Sequence, residues 1–305
     1  MRKVTTSTFK VSEETIRSSF KKLKSNQRIS VCVPCRNEAS TIGEIVSSLN
    51  KKLLISGYID ELIVIDDSST DSTSMIAREA GAKVIPIEEI NSIYGQGGGK
   101  GNALWASLIS SDGDVVVWVD GDLRNFQPIW IQQLAFPLLN NDSIHLVKAD
   151  YKRSEETGGG GRNTELVAKP LLSIHFPELA NLQQPLAGEY AVRRSAVNQI
   201  NLMQGWGVEI GMLIDFERRF GSQSIAQSDL GTREHSHRSL ADLAIQSAEI
   251  LATVHKRIDP TRSINDLNLT FMDSDNNPVE LNLDERISID DLEIQLSTQL
   301  KTGSI

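Results

Sequence analysis

Five consecutive apolar residues, Val115-Val116-Val117-Trp118-Val119, are followed at once by Asp120-Gly121-Asp122. The run is too short for a helix and rich in β-branched and aromatic side chains, so it predicts a strand buried on both faces. A strand of that kind belongs inside an α/β sheet with helices on either side. It ends in two carboxylates one residue apart, with a glycine that lets the backbone turn. Ligands of α/β sheets bind at the carboxyl ends of the strands. Two hard oxygen donors there suit Mg²⁺ or Mn²⁺, and through the metal a phosphate-bearing substrate. Taken alone, the same three residues also describe a plain acidic turn.

The strand–loop–helix pattern occurs twice upstream. Ile29 to Val33 predicts a strand, Pro34 to Glu38 a polar loop, and Ile42, Ile45, Val46 and Leu49 a helix, with Thr41 and Glu44 spaced as a capping box. Leu62 to Ile65 predicts a strand closed by Asp66-Asp67-Ser68-Ser69-Thr70-Asp71, then a short helix from Met75 to Ala80 that Gly81 stops. Lys83 to Ile87 reads as a third strand, and Asn102 to Ile109 as the helix leading to the Asp120 strand. Strands alternating with helices predict a doubly wound, mainly parallel sheet. Glu38, Asp66/Asp67 and Asp120/Asp122 then line one rim, where a nucleotide can lie with a carboxylate accepting hydrogen bonds from base or ribose.

Two glycine runs add a second kind of signal. Gly97 to Gly101 surrounds Lys100, and Gly158 to Gly161 precedes Arg162. Neither is a Walker loop or a dinucleotide fingerprint. A basic residue near the end of each run, with a helix opening after it, favours anion binding at two separate phosphate sites. Each run alone is equally a flexible loop. His235, in the polar run Arg233 to Arg238, reads either as a metal ligand beside Asp122 or as a solvated histidine. Further on, helices are expected at 129–139, 164–174, around Glu209 and at 239–256, with strands at 144–151 and 224–227 and strand or loop at 188–191. The polar first 27 residues contain an amphipathic helix at Glu13 to Lys24. The tail pairs Leu267–Phe271 with Val279–Leu283 as a β-hairpin.

The composition, 39% hydrophobic and 23% charged over 305 residues, is that of a soluble globular protein. A net charge of −9 argues against a general nucleic-acid or anionic-membrane binder and leaves room for a local basic pocket. With no apolar run of membrane-spanning length and no signal-peptide core, the expected location is cytoplasmic. Cys32 and Cys35 have redox or half-zinc spacing, but no second pair exists and Cys32 lies in an apolar run. The expectation is reduced, packed thiols.

Taken together, these stretches resemble the glucosyl-3-phosphoglycerate synthases and the related mannosyl-3-phosphoglycerate synthases, retaining, metal-dependent glycosyltransferases of the GT-A fold. The resemblance runs from about Ile29 to Leu251. It rests on the Pro34–Glu38 and Asp66–Asp71 loops, Gly99–Trp105, Asp120-Gly121-Asp122, His145–Lys148, Gly159–Leu172, Gln184–Tyr190, Gly205–Gly211 and Arg233-Glu234-His235. The Gly–Arg–x–Thr–Glu–Leu and Gly–x–Gly–Val–Glu–Ile–Gly blocks are the specific ones. By match, the resemblance implies that Pro34, Cys35, Arg36, Glu38, Asp67, Lys100, Asp120, Gly121 and Arg233 hold the nucleotide sugar. Asp122 and His235 would hold Mg²⁺ or Mn²⁺. Glu209, Asp122 and Arg162 would serve catalysis, with Glu209 on the hydroxyls of the transferred sugar. Gly161, Arg162, Thr164 and Leu186 would hold the acceptor. Two positions depart from the pattern: Trp206 where Tyr is frequent, and His237 where Asn is frequent.

The implied reaction moves glucose from UDP-glucose to D-3-phosphoglycerate with retention, releasing UDP on the way to glucosylglycerate, a compatible solute, in a cytoplasmic homodimer. The alternatives are GDP-mannose as donor, giving mannosyl-3-phosphoglycerate, and a sugar nucleotidyltransferase, which releases pyrophosphate. The expected layout is an N-terminal extension at 1–27, a catalytic domain at 28–257 and a C-terminal extension at 258–305. Within the catalytic domain, 28–125 binds the nucleotide and 126–257 the acceptor.

Overall fold

The computed structural model describes residues 6–153, 161–234, 239–261, 271–272 and 276–302. The strands are β1 (Ser7–Phe9), β2 (Ile29–Cys35), β3 (Glu61–Asp66), β4 (Lys83–Pro86), β5 (Val115–Trp118), β6 (Leu146–Arg153), β7 (Tyr190–Arg193), β8 (Leu202–Met203), β9 (Ile225–Arg233), β10 (Phe271–Met272), β11 (Pro278–Val279) and β12 (Glu285–Arg286). The helices are α1 (Glu13–Lys24), α2 (Ile42–Leu49), α3 (Thr73–Glu79), α4 (Ile87–Tyr94), α5 (Lys100–Ile109), α6 (Ile129–Asn140), α7 (Lys169–His175), α8 (Arg194–Val197), α9 (Val208–Phe220), α10 (Leu240–Ile258) and α11 (Ile289–Thr302).

Eight strands form one twisted sheet in the order β1-β9-β6-β7-β5-β2-β3-β4. All run the same way except β7, which is antiparallel to both β5 and β6. The sheet is therefore mixed and mostly parallel, as in the GT-A fold. Its middle strands are apolar on both faces, and alternate residues feed two cores. Cys32, Ile63 and Trp118 pack with α5, α9 and α10 on one side. Val33, Val64 and Val117 pack with α1, α2 and α6 on the other.

Several local expectations are corrected. The Thr41/Glu44 capping box does not form: Thr41 Oγ1 donates instead to the carbonyls of Gly121 (2.6 Å) and Glu38 (3.3 Å). β4 stops at Pro86, which opens α4 with Glu88 and Glu89 in its first turn, where the helix dipole favours acids. The strand expected at 224–227 runs on to Arg233. Of the expected tail hairpin, the described residues pair Phe271–Met272 with Pro278–Val279, and the rest of the expected first strand and turn lies largely outside the described residues. The chain after Val279 turns inward instead, and β12 pairs antiparallel with β8 before α11. No helix among the described residues is long and apolar enough to cross a membrane.

Candidate active site

Because β2, β3, β5, β6 and β9 are parallel, their carboxyl ends share one rim. β7 runs the other way, so it brings its amino end, Gly188-Glu189, to that rim. Along the β2–β3–β5 part lies an open cleft of about 860 Å³, mouth included. Pro34, Cys35, Arg36 and Glu38 line it from β2, Asp67 from β3, Asp120, Gly121 and Asp122 from β5, Gly99 and Lys100 from α5, and Trp206 from the loop before α9. Nine of the residues assigned from sequence thus meet on one wall.

The β2 and β3 loops are stitched to each other. Asn37, at φ 59°, accepts through Oδ1 from the Thr70 amide at 2.8 Å, while its own amide donates to Ser69 Oγ at 2.9 Å. The Glu38 amide donates to Thr73 Oγ1 at 2.8 Å. Asp66 is consumed by this stitching, accepting from the Ser69 amide at 3.0 Å and from the Ser74 hydroxyl. Its neighbour Asp67 is left on the cleft wall. Burial pushes the Asp67 carboxyl up, and Arg36 pulls it back.

The Asp120-Gly121-Asp122 turn is packed without slack. A side chain at Gly121 would press on Cys35 Cβ at 3.2 Å, and one at Gly188 would meet Asp120 Oδ1 at 2.1 Å. Lys100 Nζ lies 2.8 Å from Asp120 Oδ1 and 2.8 Å from Glu209 Oε1, joining the two carboxylates. Burial pushes this ammonium down, but Asp120 and Glu209 outweigh it and hold it above the ordinary lysine range. On the other side of Asp120, Arg233 Nη2 lies 2.9 Å from Asp120 Oδ2, 2.9 Å from Glu189 Oε1 and 3.8 Å from Asp122 Oδ1. Its Nη1 donates to the Tyr151 hydroxyl at 3.1 Å. Burial raises the fully buried Glu189 carboxyl, and Arg233 opposes the rise. Behind them Lys148 Nζ donates to the Ala187 carbonyl at 2.5 Å and sits 4.1 Å over the Tyr190 ring. Burial brings its pKa down to about 7, against the pull of Glu209.

Arg233 therefore stands beneath Asp120, and the residues lining the cleft do not include it. His235 lies outside the described residues. Among the described residues, no group of three His, Cys, Asp or Glu could hold a metal by itself. Gly161, Arg162 and Thr164 form a separate group. Gly161, at φ 75°, allows Arg153 Nε to come within 2.7 Å of where a Cβ would stand. Arg153 Nη2 also donates to Gln184 Oε1 at 3.2 Å, linking this turn to the Leu186 loop. Arg162 is exposed, Thr164 buried and Leu186 half-buried.

Glu189, Tyr151 and Lys148 carry no role in the sequence reading. An antiparallel β7 would have pointed to Glu189, which then stands at the rim, and Tyr151 lies at the carboxyl end of β6, the strand expected at 144–151. The first glycine run also differs from expectation. The Gly98 amide donates to Gln204 Oε1 at 3.1 Å, and the Gly97 and Gly98 carbonyls accept from Asn91 and Asn282. A Cβ on Gly101 would lie 1.7 Å from the Met203 carbonyl and one on Gly97 2.3 Å from Arg286 Nη2, so Gly97 and Gly101 serve close packing, and the Lys100 side chain is what reaches the site. Cys32 and Cys35 are free and buried on opposite faces of β2, with burial pushing the Cys32 thiol up to about 12 and Cys35 higher still. Burial thus keeps both as packed, protonated thiols at neutral pH.

Residues 30–200 match the family described as Glycosyl transferase family 2. A glucosyl-3-phosphoglycerate synthase from Mycolicibacterium paratuberculosis is 44% identical over 243 residues, 77% of this chain and 73% of that protein. The glucosyl-3-phosphoglycerate synthase of Mycobacterium tuberculosis, solved with Mn²⁺, UDP-glucose and phosphoglyceric acid, superposes with a TM-score of 0.86 at 37% identity, over 94% of this chain and 99% of that one. The same enzyme solved with Mg²⁺ and UDP gives a TM-score of 0.84 at 37% identity over the same shares. The chain belongs to glycosyl transferase family 2 and, within it, to the glucosyl-3-phosphoglycerate synthases.

Proposed function

We propose that this protein transfers glucose from UDP-glucose to the free hydroxyl of D-3-phosphoglycerate with retention, releasing UDP. The observation that carries the reading is the Lys100 ammonium, 2.8 Å from both Asp120 and Glu209 at the strand ends. That lysine marks the boundary between a diphosphate end at the Asp120 turn and a sugar end at Glu209.

The residues present fit a divalent cation. Four carboxylates, Asp120, Asp122, Glu189 and Glu209, gather around the cations Lys100 and Arg233 with Lys148 behind them, so carboxylates outnumber cations. Asp122 faces the cleft with hard oxygen donors, the ligand type of Mg²⁺ and Mn²⁺. Asp122 and His235 would hold the metal, which when bound supplies Lewis-acid neutralisation of the departing diphosphate.

The chain's own residues do the rest. Arg36, Glu38 and Asp67, with Pro34 and Cys35 beneath them, cradle the uridine. Asp120 is fixed from both sides by Lys100 and Arg233, so it meets the ribose and diphosphate without reorganising. Lys100 offsets negative charge growing on the leaving phosphate. Glu209 accepts hydrogen bonds from the sugar and faces the positive charge that builds on the transferred carbon. Arg162, with the Gly161 turn and Thr164, grips the acceptor phosphate, and the Leu186 loop flanks the glycerate. The unit at 28–125 serves the nucleotide and that at 126–257 the acceptor, with Glu209 of the second reaching the transferred sugar; the enzyme is cytoplasmic and a homodimer, the latter to be read by native mass spectrometry.

The test is turnover by the purified protein with UDP-glucose, 3-phosphoglycerate and Mg²⁺. UDP and a phosphatase-sensitive glucosylglycerate phosphate should form, and chelation should stop the reaction. Equal or better turnover with GDP-mannose refutes the donor assignment. Release of pyrophosphate refutes glycosyl transfer.

A further inference from the structure

We infer that the C-terminal segment Asn282–Arg286 is a strap that positions Lys100 for the donor by fixing the glycine loop ahead of it. The inference rests on the donor role of Lys100 proposed above and concerns residues beyond the 30–200 span matched to the family.

Arg286 is buried, 7% exposed, and stands behind the cleft. Its guanidinium gathers the whole approach to Lys100. Nη1 donates to the Tyr94 carbonyl at 3.0 Å and Nη2 to the Gly95 carbonyl at 2.8 Å, at the open end of α4. Nη2 also reaches Asn91 Oδ1 at 2.9 Å, and Nε reaches Asn102 Oδ1 at 2.7 Å. The group stacks 4.8 Å over the Trp105 ring of α5. Asn91 in turn donates to the Gly97 carbonyl at 2.9 Å, and Asn282 to the Gly98 carbonyl at 2.6 Å.

The loop sequence answers to this arrangement. A Cβ on Gly97 would stand 2.3 Å from Arg286 Nη2, so glycine is what lets the guanidinium in. Both sides of the loop are tied, and Lys100 follows as the first residue of α5. Its Nζ must meet Asp120 and Glu209 together, so a small rotation of α5 or slack at Gly99 breaks one of the two contacts. Four acceptors around one planar group call for a fork of five N–H donors, which lysine cannot replace.

A merely stabilising contact and a positioning one differ in what they move. Arg286→Lys is expected to weaken UDP binding in the presence of Mg²⁺ about tenfold and to raise the KM for UDP-glucose alike, with the KM for 3-phosphoglycerate within about twofold of wild type. Amide hydrogen exchange at residues 96–103 should quicken while β5 stays protected, a readout that needs no ligand. In a Lys100→Met background Arg286→Lys should weaken UDP no further, since both act through one ammonium. Unchanged UDP affinity, a lower melting temperature with both KM values unmoved, or losses that add across the two positions overturns the strap. Should Arg286→Lys not fold, Asn282→Ala decides, with UDP about threefold weaker and faster exchange at Gly98 and Gly99 expected from the loss of one hydrogen bond. Wild-type exchange rates and binding there overturn the inference. A wild-type protein without turnover on UDP-glucose refutes the proposed reaction, and the exchange experiment still decides the strap.

Discussion

On the β2–β3 side of the rim, Arg36, Glu38 and Asp67 are carried on loops whose backbone amides are tied down by Asn37, Thr73 and Asp66, while their own side chains stay wholly or partly open to solvent. Across β5, Arg233, Glu189, Tyr151 and Lys148 are buried; Arg233 holds Glu189 and the Tyr151 hydroxyl, and Lys148 is held by the Ala187 carbonyl and the Tyr190 ring. The first side keeps its charges for a ligand and lets the backbone do the fixing. The second spends its charges on fixing Asp120. Function and stability should therefore separate across the sheet, and substitutions can test whether they do.

The largest effect is expected at Arg233. Arg233→Met removes the cation beside the part-buried Asp120 and Asp122 and the fully buried Glu189, and stranding a buried carboxylate costs about 3–5 kcal/mol. Denaturant titration should show that loss together with lost activity. A variant that folds as firmly as wild type breaks the comparison, because Arg233 would then be acting on the ligand alone. Asp122→Ala is the counterpart on the cleft wall. It should reduce kcat about a hundredfold, roughly 2.7 kcal/mol at the barrier, with stability within about 0.5 kcal/mol of wild type. Full turnover at limiting Mg²⁺ would remove Asp122 from the metal site.

A smaller effect, confined to one substrate, is expected at Arg162. Its guanidinium is exposed beside the Gly161 turn, away from the residues lining the donor cleft. Arg162→Ala should raise the KM for 3-phosphoglycerate about tenfold, the size of one charge-assisted contact, and leave the KM for UDP-glucose alone. Lysine should rescue it in part, and unphosphorylated glycerate should be a poor acceptor. A loss confined to the donor would merge the two phosphate sites into one.

The sequence was legible where chemistry sits next to the element that carries it. Val115–Val119 names its own strand, and a parallel strand delivers its last residues to the rim, so Glu38, Asp67 and Asp120 could be placed from local pattern. Glu189 escaped because β7 is antiparallel and presents its first residues there, which periodicity cannot reveal. Arg233 carried no local signal, since the alternation that marks β9 fades after Gln227. The tail misled for a different reason. Leu281 and Leu283 alternate like a strand, but Arg286 finds four acceptors on α4, at its Gly95 end and on α5, either side of the glycine loop, and draws the chain across β8 instead. Long-range partners of that kind are not written in any window of the sequence.

The smallest effect concerns Lys148, and it tests whether the buried side is held by charge or by fit. Burial brings its pKa down to about 7, with Glu209 pulling up and Lys100 pushing further down, while Glu189 and Asp120 add weaker upward pulls. The unfolded chain keeps this lysine protonated up to its ordinary value near 10.5. Between those values the unfolded state binds more protons than the folded one, so stability rises with pH across the window. Below about 7 both states are charged and the burial penalty is felt in full. Buried thiols work in the opposite sense above their ordinary value of 9.0, because Cys32 and Cys35 stay protonated when folded. Raw melting curves therefore mix the two, and the informative quantity is the difference between wild type and Lys148→Met, in which the thiols cancel. That difference should move in favour of the wild type as pH climbs from 7 to 9. Lys100 stays charged throughout this range, so it adds no slope of its own. A pH-independent difference would mean that Lys148 is held by its Ala187 and Tyr190 contacts with its proton kept, and the charge on that side of the rim would have to be counted again.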